Sequence, residues 1–120
     1  MLATFLSGVG CLGPTDPKEQ LSKDLGTNSM ENVIGWARDL MAQGRDGEIP
    51  AEDRPRGLGR DVLTSASIVG QTNHGDRRMR LAFMGGLQMR ELIIMPPDSA
   101  WYPGNGIRLT NGVYLVVQNN

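Results

Sequence analysis

Seven arginines, Arg54, Arg56, Arg60, Arg77, Arg78, Arg80 and Arg90, fall between residues 54 and 90, where only Asp61 and Asp76 oppose them. A guanidinium is planar and presents its N–H donors in a fixed fork, so such a cluster suits recognition of carboxylate or phosphate better than proton transfer. Trp101 and Tyr102 follow a short distance on. Aromatic rings beside arginines are the parts of a surface that stacks bases while neutralising a nucleic-acid backbone. The candidate contact residues, for nucleic acid or a protein partner, are therefore Arg77, Arg78, Arg80, Arg90, Trp101 and Tyr102.

Other constellations carry less. Gly8-Val-Gly10-Cys-Leu-Gly13 matches G-x-G-x-x-G, but Pro14 and Pro17 postpone the helix whose N-terminal N–H groups would meet a pyrophosphate, and no strand-ending acid follows at the distance a ribose requires. The lone His74 sits in an Asn73-His-Gly-Asp76 turn with no G-x-S-x-G serine in the chain, and one histidine cannot build a multi-histidine metal site. Cys11 is the only cysteine, which removes disulfide frameworks and cysteine-cluster zinc sites and makes a reducing interior the easier home. Glu91 interrupts an apolar run and suits a cross-strand pair with Arg78, Arg80 or Arg90. No catalytic set, metal site or small-molecule cofactor is expected.

The elements that position the arginines are legible in part. Asp16-Pro-Lys-Glu19 and Asn28-Ser-Met-Glu31 are capping patterns that open two helices, closed by Gly26 and Gly44. In the first, the apolar stripe is Leu21 and Leu25; in the second, Met30, Val33, Ile34, Ala37, Leu40 and Met41 recur at helical spacing. Residues 44–59 are polar and rich in Gly and Pro, a long connection between a helical and a β part. A strand is expected over 61–69. Alternation then puts Arg78, Arg80, Ala82 and Met84 on one face and Met79, Leu81 and Phe83 on the other, with Gly85-Gly86 before a second run to Met95. A hairpin is preferred there to a single helix from Arg77 to Met95, in which paired glycines would cost roughly 2 kcal/mol. Asn111-Gly112 between Ile107–Thr110 and Val113–Val117 predicts a second hairpin with a type I′ turn, both central residues having positive φ.

The expected fold is α+β: one domain over residues 1–120, two N-terminal helices packed on a mainly antiparallel sheet of about five strands. A chain of 120 residues with 39% hydrophobic side chains can bury a core. The opening residues lack the basic region of a signal peptide, and no apolar run approaches the ~18 residues of a membrane span, so neither secretion nor membrane insertion is expected. The net charge of −1 hides a division: residues 1–53 hold four basic and nine acidic side chains, residues 54–90 seven basic and two acidic. Such asymmetry speaks to partners and association. Of the seven methionines, Met79, Met84, Met89 and Met95 lie in the first hairpin; an apolar face left open there would be buried most simply in a homodimer.

In its arginine-rich hairpin and the Asn-Gly hairpin that follows, this small chain without a catalytic signature resembles the small core assembly and RNA-packaging protein of the enveloped double-stranded RNA bacteriophages, the cystoviruses. The resemblance implies a viral protein of the virion or host cytoplasm that dimerises, contacts the inner-capsid protein and supports capsid assembly and RNA packaging. The expected function is accordingly a non-enzymatic assembly and interaction protein; the alternative is a nucleic-acid-binding module with an arginine-rich β surface.

Overall fold

A computed structural model describes residues 16–59, 62–70, 77–85 and 88–119, and among them two helices lie on one side of a six-stranded antiparallel sheet, an α+β fold. The Gly8–Gly13 motif, Cys11, Arg60, Asp61, His74 and Asp76 lie outside the described residues.

Helix α1 (Pro17–Asp24) begins where the Asp16 carboxylate accepts the N–H of Lys18 at 3.0 Å and proline occupies the first turn. Gly26, at φ +67°, ends it in the left-handed region that glycine adopts without penalty. Helix α2 (Met30–Ala42) is capped by Ser29, whose Oγ accepts the N–H of Asn32 at 3.1 Å. Val33, Ala37, Leu40 and Met41 form its buried stripe.

The strands are β1 (Gly47–Glu48), β2 (Leu63–Val69), β3 (Arg78–Gly85), β4 (Gln88–Ile94), β5 (Ile107–Thr110) and β6 (Val113–Asn119), in the order β1-β2-β3-β4-β6-β5. Residues 78–85 and 88–94 thus pair antiparallel as the arms of a hairpin, with Met79 opposite Ile94 and Gly85 opposite Gln88. Period-two alternation sends Met79, Leu81 and Phe83 of β3, Leu92 and Ile94 of β4, and Val113 and Leu115 of β6 into the helix-facing core, where each has 0% exposure. Burying each such large side chain stabilises the fold by about 1.5–3 kcal/mol.

Two expectations change. The 44–59 connection is built structure: it supplies the sixth strand β1, a 3-10 turn at Ala51–Asp53, and the buried Ile49 and Leu58. Trp36 of α2 holds it by donating its indole N–H to the Asp53 carbonyl at 2.8 Å. Where β1 stops, the Glu48 side chain takes over, accepting the backbone N–H of Ala66 and the Ser65 hydroxyl, both at 3.3 Å, and the Arg54 guanidinium at 3.0 Å. The Asn-Gly turn is not type I′, because only Gly112 has positive φ (+72°); among the described non-glycine residues Asp98 alone does. An irregular register between Arg108 and Thr110 absorbs part of the reversal. Arg38 of α2 fixes the result, donating Nε–H to the Met95 carbonyl at 2.9 Å and Nη2–H to the Asn111 carbonyl at 2.7 Å.

Gly59 shows how tightly this segment fits. Its φ is +56°, its N–H donates to the Asp24 carbonyl at 2.6 Å, and a Cβ there would stand 2.9 Å from the Phe83 ring. Backbone strain and overpacking together predict that Gly59→Ala loses about 2–4 kcal/mol of stability in urea denaturation. A loss below about 1 kcal/mol would mean that the segment shifts freely.

Candidate contact face on the outer side of the sheet

The alternation that buries Met79, Leu81 and Phe83 puts Arg78, Arg80, Ala82 and Met84 of β3 on the opposite face. Cross-strand pairing adds Ser65, Ser67 and Val69 from β2, Met89, Glu91 and Ile93 from β4, and Tyr114, Val116 and Gln118 from β6. Ile93, Met95, Tyr114 and Val116 make a second apolar cluster here, with Trp101 packed against it and no α1 or α2 side chain in it. Trp101 arrives on the 96–106 connection, where Ser99 Oγ accepts its backbone N–H at 3.2 Å. The centre of this face is shielded, with Ile93 4% and Val116 6% exposed. Its exposed margin includes Met84, at 43%.

The six candidate residues do not all lie in one place. Arg78 lies with its guanidinium carbon 4.9 Å from the centroid of the Trp101 ring, a cation–π contact. Its Nε is buried without a hydrogen-bond partner, and it forms no ion pair among the described residues. Arg80 is neutralised by Glu91, to which its Nε donates at 3.0 Å and its Nη2 also donates. Arg77 donates Nη1–H to the Arg45 carbonyl at 3.1 Å, binding the start of β3 to the end of the helical part. Tyr102 is 54% exposed; its ring meets Tyr114 edge-on at 5.3 Å and its hydroxyl donates to the Gly106 carbonyl at 3.1 Å.

Arg90 is elsewhere. It stands opposite Phe83 on the core side of β4 and is 1% exposed. Its Nε donates to Asp24 Oδ2 at 2.8 Å and its Nη2 to Oδ1 at 3.1 Å, a bidentate pair buried between sheet and α1. A guanidinium so enclosed is unavailable to a surface partner, because drawing it out would strand a buried carboxylate. Two signals in the sequence pointed inward: Arg90 shares parity with Leu92 and Ile94, and Asp24 falls on the stripe of Leu21 and Leu25.

Outside the six, Arg54 donates Nε–H to the Ile49 carbonyl at 2.9 Å and pairs with Glu48, while Arg56 is exposed. Among the described residues no group of three His, Cys, Asp or Glu side chains is placed to hold a metal ion. Nor is any helix among them long and apolar enough to cross a membrane. Among the described residues the outer face carries one cation with no ion pair, one internally balanced ion pair, and apolar and aromatic surface beside them. No protein-family model, curated protein or solved structure matches the chain.

Proposed function

We propose that this chain acts by contact, as a non-enzymatic assembly protein, and that its outer sheet face docks a second copy of itself. One observation carries the reading: Arg78 lies over Trp101 with its Nε buried and unbonded, a cation that no acid among the described residues balances. A carboxylate from another molecule, reaching the outer guanidinium nitrogens, balances it, and the half-buried setting of Arg78 makes such a pair stronger than a fully exposed one. Tyr102, next to Trp101 in the chain, and Met84, at the other end of β3, supply exposed aromatic and apolar surface. The cystovirus resemblance adds an inner-capsid protein as a further partner, in a virion or host-cytoplasm setting.

Sedimentation across a range of concentrations tests the proposal. Self-association is expected, and Arg78→Ala or Trp101→Ala should weaken it about thirtyfold, the scale of an interface hot spot. A strict monomer at every concentration overturns the reading, as does a dimer indifferent to both substitutions.

A second reading, binding of RNA, is favoured by the placement of Arg78 against Trp101 with the exposed Tyr102 next in the chain. It ranks below because Glu91 offsets Arg80, Arg90 is buried, and Arg78 covers one side of the Trp101 ring. RNA affinity that falls steeply with salt and is lost in Arg78→Ala would promote it.

A further inference from the structure

On the opposite side of the molecule from Trp101's cluster, the end of α1, the 51–59 segment and the start of β2 enclose an open cleft of about 850 Å3. Its described lining contains Lys23, Arg54 and Arg56 and a single acid, Asp24. Asp24 is spent on Arg90, and Arg54 on Glu48. Lys23 and Arg56 are exposed and form no ion pair among the described residues, so the described lining holds two cations without an acid of their own. Pro55, Leu58, Val62 and Leu63 give it an apolar wall.

Two glycine turns meet at this cleft. Gly26 and Gly57 have φ of +67° and +82°, and a Cβ on Gly26 would stand 2.5 Å from the Gly57 carbonyl oxygen. The N–H of Gly57 has no acceptor among the described residues. Backbone free of side chains in such turns lets an anion approach closely. The walls are already fastened together: Asn28 Nδ2 donates to the carbonyls of Leu25 and Arg56, each at 3.0 Å, and the Gly59 N–H donates to that of Asp24. A ligand entering a site held in this way loses little to ordering it.

We propose that this cleft binds a phosphate monoester carrying an apolar body, with Lys23 and Arg56 on the phosphate and the Pro55–Leu58–Val62–Leu63 wall on the rest. Two cations match the charge of a phosphomonoester, between about −1.5 and −2 near neutral pH, where a carboxylate would need only one. The volume lies within the range of small-molecule sites. This site is independent of the sheet face.

Amide chemical shifts of the full chain, followed during titration with phenyl phosphate, inorganic phosphate and phenylacetate, test the proposal. Phenyl phosphate should give saturable shifts at Gly26, Thr27 and Gly57 and bind more tightly than the other two. The double substitution Lys23→Ala, Arg56→Ala should weaken it about tenfold or more, whereas Lys23→Arg with Arg56→Lys should retain binding. Arg78→Ala should leave it unchanged, which separates this site from the assembly surface. Absence of saturable shifts at millimolar phenyl phosphate overturns the site, as do shifts unaffected by the double alanine variant. Equal binding of phenylacetate overturns the phosphate class, and equal binding of inorganic phosphate overturns the role of the apolar wall.

Discussion

Arg90→Met is expected to cost about 3–5 kcal/mol of folding stability, because it leaves the Asp24 carboxylate dry and without donors. Arg90 is 1% exposed and Asp24 3%, and both carboxylate oxygens are engaged, at 2.8 and 3.1 Å. A methionine stem keeps much of the packing, so the loss reports the stranded charge. Converting both partners, Asp24→Leu with Arg90→Met, should recover most of that loss, since a buried pair replaced by apolar side chains is close to neutral. Urea denaturation of the two single variants and the double variant measures this. A single-variant loss under about 1 kcal/mol, the range of exposed pairs such as Arg45 with Asp53, would mean that water reaches the site.

Phe83→Ala is expected to lose about 3–5 kcal/mol, the cost of emptying a fully enclosed aromatic position. Phe83 is 0% exposed, pairs with Leu63 and Arg90 on neighbouring strands and backs onto Gly59, so backbone as well as side chains surrounds the space it would leave. That space adjoins the buried ion pair. Hydration of the cavity would soften the penalty of stranding Asp24, so Arg90→Met should cost less in the Phe83→Ala background, by on the order of 1–3 kcal/mol. Full additivity in the four-member cycle would show that the two sites relax separately.

The elements most legible in the sequence were those whose signal is local. Asp16 and Ser29 cap the helices because their oxygens meet nearby N–H groups, and alternation from Arg78 to Met84 separates the faces of β3 without reference to the rest of the chain. Strand β1 gave no such sign. It is two residues long, too short for any period, and is kept in place by the Glu48 carboxylate, the buried Ile49 and the tether from Trp36. The fate of the arginines was hidden for another reason. Arg78, Arg80 and Arg90 are alike in type and close in sequence, but their partners, Trp101, Glu91 and Asp24, are chosen by strand parity and tertiary contact. The cleft at Lys23 and Arg56 joins segments more than thirty residues apart through two glycine turns, a proximity that spacing along the chain does not encode.

The Glu48 carboxylate has a consequence for how molecules of this protein meet. A β-edge with idle N–H groups is a template on which a further chain can polymerise. Here a fixed negative charge occupies the Ala66 N–H where β1 gives out, and a newcomer would have to evict a group that also holds Arg54 and Ser65. The far border, β5, is four residues long and irregular in register. Both borders of the described sheet are thus poor seeds for cross-β fibrils.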